Sequence, residues 1–220
     1  MDVYIDLLKE SIPLLLEGLG LTMELSVISL ILAMVIGLLC CLMNISHNVV
    51  LRTVSQWYIN IIRGTPLLVQ AFFIYFGVTG VLGISMSAFV AGTIALCLNA
   101  GGYLSEIFRG GIQAVPVGQS EAARSLGMTG FGTMMKIVLP QAFKIVIPSL
   151  VNQFIITIKD TSILSIIGLA ELVNKAKVYV GSTYQYMETY LFVAACYLVF
   201  TSLLMLLSRF VEKKLKYAKK

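Results

Sequence analysis

The chain has 220 residues, of which 58% are hydrophobic and 12% charged, with a mean hydropathy of +0.91, whereas soluble domains carry about 25% charged residues. This composition excludes a disordered chain, a collagen-like repeat and a disulfide scaffold, and it places most of the protein in lipid. Four scattered cysteines, one histidine and the lack of a GxxxxGK[ST] loop point away from metal, redox or nucleotide chemistry in this chain, so catalytic residues, metal ligands and cofactors are all expected to be none.

The chain opens acidic, with Asp2, Asp6, Glu10 and Glu17 against Lys9 alone. Lysine and arginine accumulate on cytoplasmic loops, so this segment belongs outside, and its acidity also argues against a cleaved signal peptide. No charge occurs from Leu25 to Leu51, which predicts a first span over about residues 20–43, with Glu24 reaching outward. Arg52 and Arg63 follow without an acid and mark an inner connection. Between Arg63 and Glu106 lie 42 uncharged residues, about 63 Å of helix and therefore two crossings. The glycines of residues 77–85 supply the break, giving spans at about 57–76 and 86–108. Pro66 removes a backbone hydrogen bond inside the second of these spans and is placed to bend it; with Asn60 and Gln70 it fits gating and packing equally.

On the helical wheel of span three, Ala88, Gly92, Ala95, Asn99, Gly102, Tyr103 and Glu106 fall together. Most of this stripe is small and suits close helix packing, while Asn99 sits at a depth where it could meet a transported solute. The stretch 109–141 then forms a structured inner loop. Pro116 is suited to opening a short helix and Gly127 to closing it in the left-handed region. Met128, Phe131, Met134, Met135 and Ile137 cannot all hide in lipid. A surface covered by another protein and an amphipathic helix lying on the membrane are equally consistent with them.

A fourth span is predicted at about 143–168, although Lys159 and Asp160 stand inside it, and a fifth at about 189–208. At about 100° per residue, Ser149, Asn152, Gln153, Thr157, Lys159 and Asp160 share one face of span four. Such a ribbon suits a path for a zwitterion; mutual neutralisation of Lys159 and Asp160 is the competing reading. The outer loop 169–188 has balanced charges, and the tail is basic, with Arg209, Lys213, Lys214, Lys216, Lys219 and Lys220 against Glu212. The fold class is thus an all-α integral membrane protein, a single domain of five transmembrane helices with its N-terminus outside and its C-terminus cytoplasmic. The net charge of +5 belongs to loops facing anionic membrane lipid, which disfavours nucleic acid as a partner.

Residues Glu121-Ala122-Ala123, then Gly127, then Ile137-x-Leu139-Pro140 resemble the EAA loop in the membrane subunits of bacterial ATP-binding-cassette importers. Arg63-Gly64-Thr65-Pro66-Leu67, Glu106-Ile107-Phe108-Arg109-Gly110-Gly111-Ile112 and Lys159-Asp160-Thr161-Ser162 are similar to the polar amino acid permease branch, the histidine, glutamine, arginine and cystine type. The resemblance covers essentially the whole chain. It implies a permease subunit of the bacterial inner membrane, paired with an identical or related chain and fed by an extracytoplasmic amino acid binding protein. Two cytoplasmic ATPase subunits would hold the ATP and magnesium, so this chain would be no enzyme. The implied coupling residues are Glu121, Ala122, Ala123 and Gly127. Pathway candidates are Asn99, Asn152, Gln153, Thr157, Lys159, Asp160, Thr161 and Ser162. A stand-alone channel or gradient-driven carrier is the alternative, weakened by the lack of an internal duplication.

Overall fold

The computed structural model describes residues 2–217, with side chains described over residues 11–210 and at 212 and 213. The charges assigned above to Asp2, Asp6, Lys9, Glu10, Lys214, Lys216, Lys219 and Lys220 lie outside the described side chains. Among the described residues all regular structure is helical. We number the helices α1 (Asp2–Asn44), α2 (Val49–Gly64), α3 (Leu67–Leu82), α4 (Ala88–Gln113), α5 (Val117–Ser125), α6 (Gly130–Ile167), α7 (Leu172–Thr183) and α8 (Tyr186–Tyr217).

Helix α4 is the centre. Two-thirds (67%) of its most apolar window is buried, against 17% for α6 and 11% for α8. Its small residues explain this position, because they let neighbours approach to backbone distance. Gly111 shows the limit: a Cβ there would stand 2.2 Å from Cγ1 of Val146 on α6. Helix α1 also runs along α4, with Ala33 packed on Cys97, Ala100 and Leu104. Leu25 joins Leu67, Ala95 and Leu164 in a second cluster that ties α1, α3, α4 and the end of α6 together. The exposed apolar side chains of α1 and α8, such as Leu39, Leu191 and Leu203, match a lipid surround.

The predicted second span is not one rod. Its two halves, α2 and α3, meet at 106° across Thr65 and Pro66. Pro66 brings no N–H, so the last carbonyls of α2 lose their helical partners. Side chains replace them: the Thr65 hydroxyl donates to the Ile61 carbonyl at 2.8 Å, and the Gln70 amide donates to the Ile62 carbonyl at 2.8 Å. Beyond the bend, α3 continues through a π turn at Phe73–Val78 to Leu82, so Gly77 and Gly80 lie inside a helix and the connection shortens to residues 83–87.

The inner loop is also shorter than 109–141. Helix α4 runs on to Gln113, and α6 begins at Gly130. Within α6 a π turn covers Met134–Val138. Pro140 accounts for it, since its missing N–H frees the Lys136 carbonyl and its ring crowds that turn. The far end of α6 tightens into a 3₁₀ segment, Thr161–Ile167. Helix α7 packs across α1 and α8, where Leu15, Leu19, Leu172, Ala176 and Val193 form a third cluster.

Candidate functional site

A cavity of about 560 Å³ lies where the α2–α3 bend faces α4 and α6. Helix α6 contributes Gln153, Ile156 and Asp160, spaced so that they form one narrow stripe. Helix α4 contributes Asn99 and Tyr103, and the bend contributes Arg63 to Leu67. A carboxylate on one wall therefore shares the cavity with a guanidinium on another and with the amides of Asn99 and Gln153.

The bend is held in place by Gln70. Its amide nitrogen lies 2.8 Å from Oγ1 and 3.1 Å from the carbonyl of Thr65, and its oxygen accepts from Nδ2 of Asn99 at 3.0 Å. Arg63 lies 5.4 Å from the centre of the Tyr103 ring and 3.7 Å from Oε2 of Glu106. Glu106 is held more firmly by Arg109, through contacts of 2.6 and 3.0 Å.

Of the pathway candidates read from the sequence, Asn99, Gln153 and Asp160 meet in this cavity; the other five do not. Asn152 faces a different space, bordered by Arg209 and Glu212 of α8. Thr157 and Thr161 are buried, with their hydroxyls donating to the carbonyls of Gln153 and Ile158. Ser162 bonds in the same way to Lys159. Lys159 is exposed and, among the described residues, forms no ion pair with Asp160. The physical reason is angular. Measured from Asn152, the polar face of α6 spans about 160° on the wheel, and only the stripe from about 40° to 100°, which holds Gln153, Ile156 and Asp160, lines the cavity. Arg63, Thr65 and Tyr103 were legible only as a topology charge, a helix-breaking context and a packing stripe.

Helix α5 presents a second candidate surface. Glu121 and Ala122 are exposed, and so are Val117 and Leu126 at its edges. Ala123, by contrast, is buried within its own chain, where α5 lies against Met134–Val138. Adjacent residues point about 100° apart on a helix, so the two alanines cannot share one outer contact. The helix ends as predicted at Gly127, whose φ of +83° lies in the left-handed region. Gly127 N–H donates to the Arg124 carbonyl and Met128 N–H to the Ala123 carbonyl, which completes a Schellman closure. Beyond it Phe131 is 77% exposed.

The sequence pattern of binding-protein-dependent transport system inner membrane components matches residues 33–217. The chain belongs to this family. It is accordingly the membrane-embedded transport component of such a system, and not its enzyme. An arginine transport system permease protein of Bacillus subtilis is 38% identical over 206 residues, covering 93% of this chain and 94% of its own length. A glutamine transport system permease protein of Escherichia coli is 35% identical over 207 residues, covering 94% of each chain. A crystal structure described as an amino acid ABC transporter with histidines is 40% identical, covers 96% of this chain and 97% of its own, and superposes with a TM-score of 0.91.

Proposed function

We propose that this chain carries a polar amino acid through the cavity at the α2–α3 bend, driven by separate ATPase subunits docked on α5. The observation that supports it most is that Asp160 and Arg63 both line one cavity, on different walls. An α-amino acid presents an ammonium and a carboxylate, and opposed charges set among amides complement both at once. Names of relatives that include arginine and glutamine agree with this class of cargo.

In this reading the N-terminus is outside and the tail cytoplasmic, because the basic residues gather around α5 and the end of α8. A second permease chain, identical or related, completes the pathway, and an extracytoplasmic binding protein delivers cargo to the outer ends of α3 and α8. ATP and magnesium belong to the ATPases. Glu121 and Ala122 meet those subunits, with Leu126 and Phe131 as apolar flanks, while Gly127 and Ala123 hold the docking helix in shape.

The test is uptake by vesicles carrying the complete complex. ATP-dependent accumulation of a labelled amino acid is expected, with Asp160→Asn and Arg63→Gln each raising the half-saturating concentration at least tenfold. Uptake driven by an ion gradient with this chain alone, or unchanged saturation in both variants, would overturn the reading.

A further inference from the structure

A second cavity, of about 650 Å³, lies farther along α4 toward its cytoplasmic end. It is walled by the end of α1, one side of α2 and the last two turns of α4. Asn99 borders the first cavity and Glu106 the second, and seven helical residues separate them by about 10 Å. Arg63 borders both. The two spaces thus lie one after the other along α4 and share the side chain of Arg63 in their walls.

The charges of the lower cavity do not balance. Arg52, Arg63 and Arg109 line it against the single carboxylate of Glu106. Arg109 takes that carboxylate through two nitrogens, at 3.0 and 2.6 Å, so Arg63 is left with a longer contact of 3.7 Å. Arg52 forms no ion pair among the described residues. Two guanidinium groups therefore face the same space without a closely held anion of their own. At the edge of a bilayer such an excess draws an oxyanion from the nearby aqueous phase, and guanidinium forks match a carboxylate's two oxygens. The amide of Asn60 on the same wall adds a neutral donor.

We propose that this lower cavity is a second solute site, which binds the carboxylate of a small molecule at the cytoplasmic mouth of the pathway through Arg52 and Arg63. Its sense of direction rests on the transport reading above. A solute bound there competes with Glu106 for Arg63, and so loosens the guanidinium that borders the upper cavity. Through this contact the amino acid already delivered to the cytoplasm is sensed by the chain that delivers more.

Equilibrium binding to the purified permease–ATPase complex in phosphatidylcholine nanodiscs tests the site without requiring turnover. Labelled glutamine is the probe, in an Asp160→Asn background that disables the upper cavity. Binding is expected to persist there, to be displaced by acetate, and to be unaffected by 4-aminobutanamide, the same molecule without its carboxylate. Adding Arg52→Gln is expected to weaken it at least fivefold. Lack of acetate-sensitive binding, equal displacement by the amine, or an unaltered affinity in the Arg52→Gln variant would overturn the proposal. Suppression of binding by phosphatidylglycerol in the nanodisc would assign the cavity to a lipid phosphate and likewise overturn the carboxylate site. These outcomes are separate from vesicle uptake, so failure here leaves the transport reading standing and the converse also holds.

Discussion

Gln70 satisfies the Ile62 carbonyl, the Thr65 hydroxyl and the Asn99 amide with one side chain. In Gln70→Ala the Ile62 carbonyl and Asn99 lose these partners at once. Leaving a buried polar group unpaired costs about 1–3 kcal/mol, so a lower midpoint in thermal unfolding of the purified complex is expected. Glu171 poses a different residue-level question. It is fully buried, caps α7 by accepting from the N–H groups of Val173 and Asn174 at 2.9 and 2.7 Å, and lies 3.5 Å from the Tyr197 hydroxyl. Burial pushes its carboxyl above the usual carboxylate range, although those donors oppose the shift. The folded chain therefore holds this proton more tightly than the unfolded chain does. Stability conferred at this position is fully present below the unfolded value of about 4.3 and declines as pH rises toward the raised folded value. Comparing unfolding midpoints across pH in wild type and Glu171→Gln checks this: the variant should show the shallower decline with rising pH.

Among the elements, α4 and α6 depend on a contact that a side chain at residue 111 would close. A Cβ at Gly111 meets Cγ1 of Val146 at 2.2 Å and the Ala142 carbonyl at 3.2 Å. Gly111→Ala must push the helices apart or distort α6, an overpacking cost of about 1–3 kcal/mol. Val146→Ala in the same chain removes the nearer obstacle, so the double variant should unfold at a higher midpoint than Gly111→Ala alone. Sequence reading reached part of this level. Charge spacing led to five spans, where the structure has four helices long and apolar enough to cross a membrane and a fifth only if the bent α2–α3 pair is counted as one, and Gly127 was readable as a helix stop because few residues accept a positive φ. The sharp bend at Pro66 was legible only as a possibility, since hydropathy counts residues and is blind to direction. Gly77 and Gly80 misled for a related reason: neighbours and a π turn absorb glycine inside a packed helix, whereas the same residue ends an isolated one.

At the scale of the whole molecule, the proposed docking surface and the cavity are joined by a single element. Helix α6 starts at Gly130, close behind the Gly127 turn, and carries Gln153 and Asp160 into the cavity before it ends at Ile167. No charge pattern could show this continuity; the polar wheel of α6 marks a wider face than the stripe that lines the cavity, because it could not say where the neighbouring helices lie. The π turn at Met134–Val138 sits between the docking surface and the rest of α6, and Val138 with Val115 and Ala142 anchors that turn to the end of α4. In the proposed coupling, force applied at Glu121 and Ala122 is carried to both walls of the cavity by these packed helices. A variant that spoils the grip while keeping the fold should separate the two halves of the work. Glu121→Ala removes an exposed carboxylate and nothing that holds the chain together. Gly127→Pro forbids the positive φ and deletes the N–H that bonds to the Arg124 carbonyl. The double variant should insert and assemble in the membrane, retain cargo binding in the upper cavity, and lose at least tenfold in amino acid imported per ATP hydrolysed. Uptake and phosphate release measured in the same vesicles give that ratio, and a ratio equal to wild type would remove α5 from the coupling path.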